Sequence, residues 1–529
     1  MSKEQQRHKT RAPAAFFSTI LHHPRLGLWI GGLYGVILLS AALAYHTVGD
    51  YGIETDFFWT FVPGAEAILR GSILIEEFRG PAYPALLAAA SFVFGDLFRT
   101  GVILAVIAGA AVLVIVHHLF RKLFSPDAAF WGVVLIAVNP VFVQYSYSAG
   151  TDMMFFALVA GSALLLFGTT RSTHHLIISA VLAGVAYLTR YNGIFAVFAV
   201  PLVLLVGNPD REPLKTRGWK AAGYVVVFFL TILPWGLYCL SEKGSFFYNK
   251  NYLNIAYEMF AKGRVGWDEY WSQAAEQYTS LAQVILADTG LFLKTVSINT
   301  VDHFLNDMSV LLGWHTGVFA VGGMLLLYKE RVTRTTAGFL LYSLVFFGLL
   351  LIVFYSERFS LFLLTAYVLL AMHLLSSKAI HNLSLRTRVP VRVLLLLVVT
   401  IWTFAQSYEF NRRNIDSGPK EVLVIADWFK RNVPHAREDI VITRKPHPAY
   451  YLGLEMKGFP YVETMDDLLR EAHRLNARFL YFGLIEAAMR PQFRFLLDPR
   501  LAPPQLRPIV YTTSPPAVLY EVDNSPLPR

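Results

Sequence analysis

Carboxylates and arginines punctuate an otherwise apolar chain, and their types and spacing suggest chemistry. Glu54 and Asp56 lie two residues apart in the stretch DYGIETDFFWTFVPGAEAILRGSILIEEFRGPAYP (residues 50–84), which also carries Glu66, Glu76, Glu77 and Arg79. Further on stand Asp152, then Arg190 with Tyr191 and Asn192, then Glu357 with Arg358. A carboxylate within hydrogen-bond reach of a hydroxyl is a natural general base for turning that oxygen into a nucleophile. An arginine offers a planar fork of donors that matches phosphate oxygens. The two types together suit transfer of a group from a phosphate to a hydroxyl. Asp56 or Glu54 would act as base. Asp152 would orient the acceptor, bind a cation or hold an arginine, and Arg79, Arg190 and Arg358 would meet the phosphate.

The composition says what kind of scaffold positions these residues. The 529 residues are 55% hydrophobic and only 16% charged, with mean hydropathy +0.46, whereas a soluble chain carries about 25% charged residues. Apolar runs of about 17–25 residues recur, the length needed to cross a bilayer core. A polytopic α-helical membrane protein follows. Its net charge of +9 fits Lys and Arg gathered in cytoplasmic loops, so nucleic acid is not an expected partner. The single cysteine, Cys239, leaves no intrachain disulfide to form.

Charge asymmetry sets the orientation. Lys3, Arg7, Lys9, Arg11 and Arg25 precede the first apolar run, which is long enough to span and lacks a small-residue cleavage site, so residues 1–25 read as a cytoplasmic N-terminus. The first span, about 26–46, then places an external loop at about 47–98. Residues 82–97 read as a short re-entrant or interfacial helix, which keeps HHLFRKLFSPD (117–127) cytoplasmic. Spans follow at about 99–118, 128–146, 152–169, 175–190, 193–208 and 219–240. An amphipathic, aromatic external loop at about 241–305 bears Trp267, Tyr270, Trp271 and Tyr278 and is expected to lie on the membrane surface. Further spans at about 308–328, 337–355, 359–376 and 392–408 bring the total to about 11. In this topology Glu54, Asp56, Arg79, Asp152, Arg190 and Arg358 all fall at the outer face. Charges at membrane depth are costly unless paired or hydrated, so their recurrence there points to a cavity.

After about residue 410 the pattern changes. GPKEVLVIADWFKRNVP has helical periodicity, with Val422, Ile425, Trp428 and Phe429 on the apolar side. DIVIT (439–443) and RFLYFG (478–483) read as strands and residues 466–477 as a helix. Residues 507–522 read as two strands joined by a turn at 514–516. The spans therefore form a catalytic domain, 26–409, followed by a small extracytoplasmic α/β domain, 410–529, large enough for its own core.

At this point motifs add to composition. Asp56 followed by FFWTFVPGAEAILRG, then FRGPAYPALLA, NPVFVQYSYSAGTDMMFFALV, AGVAYLTRYNGIFAV and ERFSLFLL resemble recurring segments of the GT-C glycosyltransferases. The resemblance is to the branch of protein O-mannosyltransferases and lipid A aminoarabinose transferases, and it covers about residues 26–375 well and the C-terminal α/β domain more loosely. It implies a GT-C-like fold, a polyprenyl-phosphate-linked sugar donor, an external active site and inversion at the anomeric carbon. It further implies that Asp56 is the catalytic carboxylate and Asp152 the acid of the second external loop. Arg79, Tyr83, Arg190, Tyr191 and Arg358 become candidate substrate-binding residues. Two departures stand out. Protein mannosyltransferases usually show Asp-Glu where Asp56 is followed by Phe57. Aminoarabinose transferases typically have Lys-Pro where this chain has Arg79-Gly80-Pro81.

The expected partners are thus a polyprenyl-phosphate sugar, a lipid, glycan or protein acceptor, and membrane lipids, in a bacterial inner membrane. No residue cluster matches a firm metal motif, although Asp302, His303 and Asp307 are of types that ligate divalent cations. A transporter or flippase of lipid-linked glycans is the alternative. It would favour ionisable residues near the midplane and symmetric halves, and neither is visible. An envelope polymerase or ligase would place its main catalytic loop late in the chain, where this one is early.

Overall fold

The computed structural model describes residues 21–168, 172–208 and 210–523. Lys3, Arg7, Lys9 and Arg11, which the topology reading uses, lie outside the described residues. The chain forms two units. One comprises the residues up to Leu43 together with Gly64–Asn411, and the other Ala44–Pro63 together with Arg412–Arg529.

The first unit is helical. Leu26–Tyr45, Leu97–Leu123, Leu214–Lys243 and the segment beginning at Val391 are each long and apolar enough to cross a membrane. Three bent pairs qualify only if each is one span: Pro126–Ala137 with Pro140–Tyr147 (65°), Leu281–Ala287 with Thr289–Leu311 (99°), and Leu363–Leu375 with Lys378–Thr387 (43°). Among the described residues this gives four to seven such elements, against about 11 expected. The difference lies in length and breaks. Asp152–Phe167, Thr173–Thr189, Trp314–Leu326 and Arg334–Leu350 are apolar but of 13–17 residues. The run read as one span at 128–146 breaks before Pro140, where Asn139 caps the next helix by accepting from the Phe142 amide. A proline lacks the N–H that would carry the helix through.

Residues 82–97 contain the 13-residue helix Ala82–Phe94, about 20 Å long where a bilayer core is about 30 Å. It stops at Gly95 with φ +84°, and Asp96 caps Leu97–Leu123 by accepting from the Arg99 amide. Residues 241–305 hold the helices Tyr252–Phe260, Trp267–Gln277, Leu281–Ala287 and Thr289–Asn306. Trp267, Tyr270 and Trp271, expected on the membrane surface, pack at least partly on a small core of their own built from Leu253, Ala256, Ala274 and Val284.

The second unit contains a five-stranded sheet: β1 (Ile440–Thr443), β2 (Glu455–Gly458), β3 (Ala477–Phe482), β4 (Leu506–Thr513) and β5 (Pro516–Val522). The strand order is β2-β1-β3-β5-β4. β1 runs parallel to β2 and β3, while β5 is antiparallel to β3 and β4. Because side chains alternate along a strand, β3 sends Leu480 and Phe482 to one face and Phe479 and Tyr481 to the other. The first pair meets Leu468, Leu469 and Ala472 of the helix Met465–Arg474. The second meets Val422, Ile425 and Phe429 of the helix Lys420–Asn432. Trp428, expected on that apolar side, is 38% exposed. β2 and the helix Pro446–Leu452 were not expected from the sequence. The latter begins with Pro446, a residue suited to the first helical turn.

Candidate active site

The acidic stretch opens where the helix Leu26–Tyr45 ends, and residues 44–63 belong to the unit containing the sheet. Asp50 builds the turn: its Oδ1 accepts from the Gly52 and Ile53 amides at 2.6 and 2.8 Å. Such local side-chain bonds are why aspartate favours turns. Glu54 is wholly buried. Its carboxylate lies 3.0–3.1 Å from His46 Nε2 and accepts from the Asp50 amide at 2.8 Å. Burial disfavours the His46 imidazolium, but the Glu54 carboxylate more than offsets this through its charge and hydrogen bond, with Asp50 adding to it. The His46 pKa is therefore raised above 6.5.

Asp56 is half-buried and precedes the wide π turn Phe57–Phe61, whose start it does not cap with its side chain. Phe57, Phe58 and Phe61 are buried while Trp59 is 53% exposed, so the backbone directly after Asp56 is anchored. π turns occur often at functional sites.

The sheet-bearing unit grips this stretch from the loop after β1. Lys445 Nζ donates to the Tyr51 carbonyl at 2.6 Å and to Thr55 Oγ1 at 3.0 Å. His447 Nε2 lies 3.1 Å from the Asp50 carbonyl, and the Gly49 amide donates to the Tyr451 hydroxyl at 3.2 Å. Phe58 packs with tilted rings against His447 at 4.4 Å and Tyr450 at 4.9 Å. Burial is the main reason the His447 pKa falls to about 3, and the Lys445 charge adds to it while the bond to Asp50 opposes it. A neutral ring can donate to that carbonyl. None of Lys445, His447, Tyr451 and His46 was singled out from the sequence. The usable signal was the Lys-Pro-His-Pro run directly after a strand.

The other candidates lie in the helical unit. Asp152 is the first residue of Asp152–Phe167 and pairs with Arg190. Arg190 closes the helix Thr173–Thr189 in extended conformation and also donates to Thr151 Oγ1 at 3.5 Å. Both side chains are at most 10% exposed. The Phe359 ring lies 5.1 Å from the Arg190 guanidinium and 5.4 Å from that of Arg358, so two cations share one aromatic residue. Next to Arg358, Glu357 accepts from the Tyr145 hydroxyl at 3.1 Å.

Arg79 lies 3.8 Å from Glu76. Its strand of chain is tied down by the Lys250 amide, which donates to the Glu77 carbonyl at 2.6 Å, and by Asn251, which donates to the Phe78 carbonyl at 3.1 Å. Gly80 packs directly on the Leu188 backbone, where a Cβ would collide with the carbonyl. The Arg79 turn thus lies beside the chain leading into Arg190. Tyr83 is buried in Ala82–Phe94. Tyr191 accepts from Trp235 Nε1 at 3.3 Å and packs on Tyr187 at 5.0 Å. The structure therefore pairs Asp152 with Arg190 and sets Arg190 and Arg358 on Phe359, while Tyr191 is engaged in helix packing. Among the described residues no group of three or more His, Cys, Asp or Glu side chains is placed to hold a metal ion.

Comparison with known proteins follows the same outline. Residues 79–237, which include Arg79, Tyr83, Asp152, Arg190 and Tyr191, match the family described as dolichyl-phosphate-mannose-protein mannosyltransferase. No curated protein matches the chain. Among solved structures, ArnT from Cupriavidus metallidurans bound to undecaprenyl phosphate is similar with TM-score 0.62 at 13% identity, over 94% of this chain and 98% of that one. The Archaeoglobus fulgidus oligosaccharyltransferase in complex with Zn and sulfate is similar with TM-score 0.58 at 16% identity, over 87% and 68%. The same organism's AglB, in complex with an inhibitory peptide and a dolichol-phosphate, gives 0.55 at 15% identity, over 88% and 70%. The chain thus shares its fold with these membrane enzymes, and the match to the mannosyltransferase family covers residues 79–237.

Proposed function

We propose that the chain transfers a sugar from a polyprenyl-phosphate-linked donor to a lipid, glycan or protein acceptor at the extracytoplasmic face, by a single inverting displacement. In this reading the chain crosses the membrane about 11 times, with the N-terminus cytoplasmic and residues 410–529 outside, in a bacterial inner membrane. Asp56 takes the proton from the acceptor hydroxyl as its oxygen attacks the anomeric carbon. The bond from that carbon to the phosphate oxygen breaks, and the polyprenyl phosphate leaves with the electron pair and its negative charge. Arg190 and Arg358, with Arg79, receive the phosphate. Asp152 holds the Arg190 fork in place.

The observation that carries the reading is the buried Arg190–Asp152 pair, with Arg358 on the same phenylalanine. Keeping a guanidinium desolvated is expensive unless it is paired, and such an arginine is well suited to a leaving phosphate at headgroup depth. The undecaprenyl phosphate and dolichol-phosphate bound to the structural relatives support the donor class. For the base, Asp56 is favoured over Glu54, because Glu54 is wholly buried and Asp56 only half-buried. Purified protein in lipid, given polyprenyl-phosphate sugars and candidate acceptors, should release polyprenyl phosphate and form a product of inverted anomeric configuration. Failure to release it from any donor would remove the proposal, and a product of retained configuration would remove the single displacement.

A further inference from the structure

We propose that the sheet-bearing unit sets the position of Asp56, with Lys445 as the positioning residue that locks the Tyr51–Thr55 turn directly before it. The proposal deepens the reading of Asp56 as base and rests on it.

The connection can be followed atom by atom from the sheet outward. Glu486 is buried and accepts from the Gly483 amide after β3 at 3.0 Å. It also accepts from the Arg444 amide at 2.8 Å and from Thr443 Oγ1 at 3.3 Å, at the end of β1. One carboxylate thereby ties the ends of two neighbouring strands to each other and fixes the backbone from which Lys445 departs. Thr443 Oγ1 also lies 3.1 Å from the Lys445 carbonyl, so its single proton is shared between that carbonyl and Glu486. The Lys445 ammonium then spans two groups four residues apart, the Tyr51 carbonyl and Thr55 Oγ1. Thr55 itself donates to that same carbonyl. Lysine has donors and no acceptor, so it can satisfy both oxygens at once.

The same stretch is held at three further points. His447 engages the Asp50 carbonyl, Tyr451 accepts from Gly49, and Phe58 lies against His447 and Tyr450. Gly49 has no room for a side chain, since a Cβ there would run into the Phe58 ring. Asp56 thus sits between two fixed residues, Thr55 on a lysine and Phe58 in an aromatic seat. A general base must be held close to its geometry, because small misplacements cost large factors in rate. A clamp of this kind acts on turnover and leaves donor binding alone.

The test uses the full chain in lipid. Lys445→Met, which keeps the length and removes the donors, should lower kcat about 10- to 100-fold with the KM for a polyprenyl-phosphate sugar within about twofold. Lys445→Arg should restore part of the loss. Thr55→Val should lower kcat in the same sense, and adding Lys445→Met to it should cost less than the product of the two single effects, as for coupled groups. Hydrogen exchange supplies a readout independent of turnover: amides of residues 49–58 should exchange faster in Lys445→Met than in the parent. Unchanged exchange overturns the clamp. So does faster exchange with undiminished kcat while Asp56→Asn is inactive. A parent protein inactive on every donor instead overturns the functional reading on which the clamp rests.

Discussion

Arg190 and Asp152, 38 residues apart in sequence, form an ion pair that is nearly closed to solvent, and Arg190 also lies against Phe359 beside Arg358. The pair does more than end one helix and begin another. Asp152 occupies the first helical position without serving as the cap, so its carboxylate is committed to Arg190.

Arg190→Lys keeps the charge and loses the planar fork. Hydrogen bonds to charged groups contribute about 1.5–3 kcal/mol, so the KM for the lipid-phosphate donor should rise roughly 10- to 100-fold. Steady-state kinetics on the protein in lipid checks this. An unchanged KM would remove Arg190 from the donor site.

Glu54→Gln separates a structural carboxylate from a catalytic one. Breaking a buried ion pair by altering one partner costs about 3–5 kcal/mol, although glutamine can retain part of the bonding to His46 and the Asp50 amide. The thermal midpoint should fall by several degrees while the pH dependence of kcat keeps its shape. Loss of the basic-group limb from that profile would instead make Glu54 the base.

His447 and His46 titrate in opposite senses. The His447 pKa is lowered to about 3 from 6.5, so between those values the unfolded chain binds more protons. Stability from this group is complete above about pH 6.5 and is lost as pH falls towards 3. His46, whose pKa is raised, contributes fully below 6.5 and loses its contribution as pH rises through the raised value. Residues 49–58 should therefore show larger protection factors, relative to the intrinsic exchange rate at each pH, just above pH 6.5 than at more acidic pH. His447→Gln should flatten the acid side. Equal protection factors in the parent from pH 4 to 7 would contradict the assignment.

Gly80→Ala tests the close approach of the Arg79 turn to Leu188. The added carbon meets a backbone carbonyl, which cannot rotate away. Overpacking of this kind costs about 1–3 kcal/mol, and it should lower the thermal midpoint and raise the donor KM together. A variant matching the parent in both would mean that the turn tolerates displacement.

Much of the fold was legible because period and composition are local signals. The alternation of Phe479, Leu480, Tyr481 and Phe482 marks a two-sided strand, and Val422, Ile425 and Phe429 mark a helix face buried on the sheet. Trp428 was misplaced because a hydrophobic residue beside a helix stripe need not belong to it. The break at Pro140 could have been read from the proline alone, but a hydropathy average hides it. The polar clustering of Asp152, Arg190 and Arg358 was legible only as a shared membrane face, and Phe359, which joins the two arginines, looked like any span residue. Least legible was the grip on the acidic stretch. Lys445 reaches Thr55 across 390 positions, and no local pattern records such a pairing.

The central claim is that Asp56 is the general base of sugar transfer from a polyprenyl phosphate. Asp56→Asn removes the proton acceptor and keeps the shape. Measured as polyprenyl phosphate released per enzyme in lipid, turnover should fall by about 10²–10⁴-fold, with the thermal midpoint within a degree or two of the parent. Full turnover in that variant would contradict the account.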